Sequence, residues 1–167
     1  MRSLLRPLAR RTPASGPALS LAALGLLSTL LLAIPIHAAS DEAILNPEAL
    51  AQLEQRATQA SPREQCFLYT ELVHNMTARA GQQISNGETE EAAVTLKKVN
   101  LYAHLIHMNL ARDTKRLKNA EMLMHNTTYR LAQVLHLVSG DDKKTVQDTL
   151  KQLDQVNDEL LTQVFTH

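Results

Sequence analysis

Between Glu88 and Val138 the chain has neither glycine nor proline, and its apolar residues keep a helical beat throughout. Leu96, Ala103, Leu110, Leu117, Met124, Leu131 and Val138 fall seven residues apart. Val99, Ile106, Ala120 and Val134 follow members of that series by three, with Asp113 and Thr127 as its polar exceptions. A seven-residue repeat sustained over this distance predicts coiled-coil-like helix. Leu101, Met108, Met122 and Tyr129 lie at multiples of seven from one another on a different face. A helix apolar on two sides needs partners on two sides. From Arg112 to Lys118 the second face turns polar, yet the beat passes through without a phase slip. A corner would usually bring glycine, asparagine or proline. The pattern therefore favours one long central helix over about 88–138. A kink or break near 113, giving two antiparallel helices, is the alternative.

Shorter amphipathic stretches flank this span. Asn46-Pro47 offers a cap followed by proline at the first helical position, and Leu50, Leu53 and Ala57 give a thin stripe, so a short helix is predicted over about 47–59. Ser61-Pro62-Arg63-Glu64 starts a second helix with the makings of a capping box. Tyr69, Val73, Met76 and Ala80 give its apolar face, and Asn86-Gly87 ends it. Ser139-Gly140-Asp141-Asp142 marks a stop and restart, and a final helix carrying Val146, Leu150, Leu153, Leu160 and Val164 runs to about Phe165. Nothing reads as a strand. The fold class is all-α, an antiparallel helical bundle.

The first residues change the charge balance. Residues 1–17 carry Arg2, Arg6, Arg10 and Arg11 and no acid; residues 18–34 are apolar; Ile36-His37-Ala38-Ala39 follows. This is the pattern of a secretory signal peptide over 1–39, with an uncleaved membrane anchor as the alternative. Residues 40–61 then form a linker containing the short helix, and 62–167 the bundle domain. Of 17 basic and 17 acidic residues, 13 and 17 remain after residue 39, a net charge of −4. A mildly acidic exported domain is not built to hold nucleic acid.

The histidines His74, His104, His107, His125, His136 and His167 are the main chemical candidates. Glu71 and His74 form a Glu-x-x-His, which sets carboxylate and imidazole on one helical face, as di-iron bundles use them. His104 and His107 share a face likewise, and Met122-Leu123-Met124-His125 adds softer ligands suited to copper. If the long span breaks, Glu71, His74, His104, Met122 and His125 fall at one level of the bundle. If it does not, His104 and His125 are about 31 Å apart and cannot share an intrachain site. The candidate ligands for copper, zinc or iron are thus Glu71, His74, His104, His107 and His125. Against them, the second Glu-x-x-His of a di-iron site is missing, and methionines commonly fill cores.

Cys66, alone in the chain, is either a small buried apolar residue or a bridge between two copies. Arg112, Lys115, Arg116 and Lys118 read as a solvated basic belt rather than an anion-binding surface. No nucleophile elbow, phosphate-cradling loop or zinc-protease motif is present. The leading expectation is an exported, non-enzymatic interaction or scaffold module without a cofactor, binding a protein partner or itself. The alternative is a small periplasmic metal-binding bundle.

Overall fold

The computed structural model describes residues 44–110 and 114–166. The expected signal peptide, Arg112 and His167 lie outside them. Five helices follow in order: α1 Pro47–Gln59, α2 Pro62–Ser85, α3 Thr89–Asn109, α4 Leu117–Val134 and α5 Gly140–Phe165. The described residues contain no strand.

Local chemistry explains most boundaries. The Asn46 side chain accepts the Ala49 N–H at 2.8 Å, and Pro47 occupies the first turn of α1. α2 ends in a Schellman arrangement, with Glu88 N–H donating to the Gln83 carbonyl and Gly87 N–H to that of Ile84. Gly87 takes φ +81°, which a side chain would strain. At the start of α2 the expected capping box is not made. Ser61 Oγ instead donates to Glu64 Oε2 at 3.0 Å, and Lys115 Nζ donates to the other oxygen of that carboxylate at 3.0 Å.

The heptad stripe is the core face. Leu96, Val99, Ala103, Ile106, Ala120, Met124 and Leu131 are buried, joined by Leu72, Val73, Leu153 and Leu160 from the flanking helices. The long span is nevertheless two helices, not the favoured one. Leu110 leaves the helical region at ψ 105°, and Arg116 sits in the left-handed region at φ 58°. A tertiary contact and a local cap hold this break. Lys115 N–H donates to the Arg63 carbonyl at 2.8 Å, and Asn109 Nδ2 caps the Leu105 carbonyl at 2.7 Å.

The order of helices around the core is α2, α3, α5, α4, so α3 and α4 lie on a diagonal and do not pack on each other. Register fixes the directions. Arg63 meets Lys115, His74 meets Thr127, and Gly81 meets Val134, so α2 and α4 run in parallel. Asn100 bonds to Thr149 and Gln152, and His107 to Glu159, so α3 and α5 do likewise. Two antiparallel hairpins, α2–α3 and α4–α5, are thus laid side by side with like strokes adjacent. Gly81 permits the close approach of α2 to α4: a Cβ there would stand 3.2 Å from Val134 Cγ2. α1 packs on α2, and its Glu54 accepts a hydrogen bond from the Tyr102 hydroxyl.

The crossing has a direct consequence. In a sequential α3–α4 hairpin the second apolar faces of the two helices would lie toward each other. On a diagonal they cannot, and both remain exposed.

Candidate functional site

Three features are candidates: a polar groove between α2 and α4, an imidazole pair on α3, and the bare apolar face of α3. The groove has a volume of about 420 Å³ and is lined by Glu71, His74, Asn75, Asn119, Met122 and Asn126, with Phe67 and Leu123. α2 supplies the first three at i, i+3 and i+4, so one helical face carries them all. His74 is buried, and its place is fixed by Thr127. The Thr127 hydroxyl donates to the Leu123 carbonyl at 2.7 Å, so its oxygen accepts from His74 Nδ1–H at 2.8 Å. A buried bond of this kind selects one register of α2 against α4. Thr127→Val leaves that N–H unpaired, and chemical denaturation is expected to show a loss of about 1–3 kcal/mol.

Glu71 is half-buried. Burial raises its pKa above the ordinary carboxylate value, while the Arg116 and Arg56 guanidiniums act to lower it. Arg116 lies over the Phe67 ring at 3.4 Å from its centroid. The expected basic belt is therefore engaged with the fold: Lys115 with Glu64, Arg116 with Phe67. The Lys115 and Ser61 hydrogen bonds hold Glu64 below the usual carboxylate range.

The imidazole pair lies elsewhere. His104 and His107 are exposed on α3, their ring centroids 6.3 Å apart, and His107 Nδ1 lies 2.7 Å from Glu159 Oε2 of α5. His107 also borders a groove of about 720 Å³ with Asp154, Asp158 and Glu159. There burial, reinforced by Asp158, raises the Asp154 pKa. His125 is exposed on α4. The five residues singled out in the sequence are thus distributed: Glu71 and His74 share the α2–α4 groove, His107 bonds to Glu159 of α5 with His104 beside it, and His125 is exposed on α4. Among the described residues no three His, Cys, Asp or Glu side chains converge as metal ligands. Cys66 is buried, and burial raises its thiol pKa to about 12, so in the folded chain it is an inert core residue.

The third feature is the outer face of α3. Val94, Leu101 and Met108 follow one another at intervals of seven and are 54% to 66% exposed. Val94, which extends the stripe seen in the sequence by one heptad, also enters a groove of about 530 Å³ formed with Leu50 of α1 and Met76 of α2. Met122 and Tyr129 make the equivalent stripe on α4, 54% and 64% exposed. Isolated exposed apolar residues are common on soluble proteins, but an aligned series on one helix is the signature of a seam without its partner. Among the described residues no helix is long and apolar enough to cross a membrane. The chain matches no family model, no curated protein and no solved structure at a level that would establish kinship.

Proposed function

We propose that the chain is an exported, non-enzymatic helical module that works by protein contact, with a second copy of itself as the occupant of the α3 face. The exposed series Val94, Leu101, Met108 carries this reading. It is self-complementary: about a two-fold axis at Leu101, antiparallel α3 helices would set Val94 of each copy against Met108 of the other, as an isologous contact requires. Lys98 lies along the same face and can cover the seam with its aliphatic stem while its ammonium stays in water. Export rests on the composition of residues 1–39. Light scattering on the processed protein is expected to give a dimer mass at concentrations of tens of micromolar, roughly the range of a modest helix–helix interface. A monomer mass throughout that range would remove the basis for this function.

A second reading, a carrier of copper or zinc, has one observation in its favour. His104 and His107 are neighbours on an exposed face, and Glu159 is bonded to one of the two rings. A carboxylate bonded to an imidazole orients it for a metal. Titration of metal-free protein with zinc is expected to lose its heat of binding in His104→Ala/His107→Ala and keep it in His125→Ala. Equal heats from all three proteins would count against this reading.

A further inference from the structure

Val94 belongs to two features at once. It opens the exposed stripe of α3, and it walls the groove of about 530 Å³ whose apolar lining continues through Leu50 and Ala51 of α1 and Met76 of α2. The groove exists because α1 packs on α2 and reaches α3 only at the bond between Glu54 and the Tyr102 hydroxyl, which leaves a trough between α1 and α3. Its opposite wall is fixed as well, since the Thr95 hydroxyl of α3 donates to Gln83 Oε1 of α2 at 2.8 Å. Filling a cavity with fixed walls costs little in ordering. Arg79, Glu90, Glu91 and Lys98 also line it. An apolar floor with charged groups around it is the make-up of a protein-contact site.

The charges along α3 select the direction of the helix that brings a side chain to this floor. Glu90 and Glu91 are exposed in its first turn; Lys97, Lys98, His104 and His107 are exposed further on, and Lys115 and Lys118 follow its C-terminus. Two α3 helices laid in parallel would set acids on acids and cations on cations. Laid antiparallel, the acidic end of each copy lies against the basic end of the other, a complementarity that fixes register. About the two-fold axis at Leu101 the partner's Met108 then arrives at Val94, on the lip of the groove. Met108 is the most exposed of the three stripe residues, at 66%. Its unbranched thioether adapts to an irregular gap with little strain.

We propose that the groove between α1, α2 and α3 is the socket for Met108 of a second copy. The two-fold axis makes two such sockets in each dimer. On the self-association proposed above, on which this rests, α1 becomes part of the interface and Met108 its anchor, a single apolar side chain seated in a formed pocket.

Cross-linking of cysteine variants with a short bis-maleimide, in protein carrying Cys66→Ala, tests it. Ala51→Cys/Met108→Cys is expected to give a covalent dimer. No link within one chain competes, because position 108 lies about 21 Å along α3 from Val94, beyond the reach of the reagent. Met108→Cys alone should stay unlinked, since the two copies of that residue fall at opposite ends of the seam, again about 21 Å apart. Leu101→Cys reports on the seam itself and should link across the axis. In sedimentation, Ala51→Glu is expected to raise the dimer dissociation constant about tenfold or more. Ala51 is exposed in the monomer, so the Tm of the dilute protein should not move. A linked Leu101→Cys dimer beside unlinked Ala51→Cys/Met108→Cys would overturn the socket and leave self-association standing. No link in either, with a monomer mass, would overturn both. Met108→Cys linking to itself, or an Ala51→Glu dimer of full strength, would also overturn the socket.

Discussion

Replacing Leu96 with alanine is expected to lower stability by about 2–5 kcal/mol, whereas Leu101→Ala, on the same helix, should change it by less than about 0.5 kcal/mol. Leu96 belongs to the inner stripe and is fully buried beside Ala92 and Val146, where α3 meets α5. Truncating it removes apolar surface from the core and leaves a cavity whose walls, belonging to helices locked at both ends, relax only in part. For a folded region of this size the loss corresponds to a fall in Tm on the order of 10–20 °C. Leu101 is 54% exposed and touches the core with little of its surface. Thermal unfolding of the two variants as dilute monomers checks which stripe is inside. Similar losses from both would mean that the faces of α3 are misassigned.

The second large effect is on association. Leu101→Glu is expected to raise the dimer dissociation constant about 100-fold or more. Leu101 lies on the proposed two-fold axis, so one substitution places two carboxylates opposite each other in a desolvated seam. Lys98, one turn away, keeps its ammonium in water and answers them only in part, and burying an incompletely paired charge costs about 3 kcal/mol or more. Leu101→Ala should weaken the dimer by a smaller factor, on the order of tenfold. Tyr129→Glu, on the outer face of α4, should leave the dimer intact. Sedimentation equilibrium of the four proteins separates these outcomes. A Leu101→Glu protein that stays dimeric would place the interface elsewhere.

The sequence carried much of the fold. Helix α1 falls on the predicted 47–59, α2 ends at the predicted Asn86-Gly87 turn, and α5 reaches Phe165. These boundaries are set by caps and stop residues, which act locally. The inner heptad stripe was legible for a similar reason, since burial repeats with the helix. The break between α3 and α4 was not. The interval from Leu110 to Leu117 is one heptad, so the phase is the same whether those residues coil or loop. What interrupts the helix is long-range: the Arg63 carbonyl receiving the Lys115 N–H, and the Phe67 ring receiving Arg116. Neither contact has a signature within 88–138.

The order of helices around the core was equally hidden. A level count assumes that successive helices are neighbours. It set Glu71, His74, His104, Met122 and His125 in one layer. The diagonal crossing keeps Glu71, His74 and Met122 on one groove and leaves His104 exposed beside His107 on α3, away from α4. His74 itself showed no sign in the sequence of its bond to Thr127. Thr127 appeared only as a polar exception in the heptad, and that exception is where the buried hydrogen bond lies. Arg116 read as one cation among four. Its left-handed backbone and its ring contact are tertiary features, and they distinguish it from Lys115 and Lys118.

The crossing of the bundle is the premise on which both surfaces rest. It bares the second face of α3 and builds the groove of α2 against α4. A disulfide between positions 81 and 134 tests it. In a disulfide each Cβ lies about 3 Å from the partner sulfur, and a Cβ at position 81 would stand 3.2 Å from Val134 Cγ2, the place a cysteine sulfur would take. Gly81→Cys/Val134→Cys, with Cys66→Ala to remove the native thiol, is expected to close an intrachain bridge on mild oxidation and keep its helical circular dichroism. Free thiols after oxidation, or bridges only between chains, would contradict the parallel packing of α2 and α4 and the account built on it.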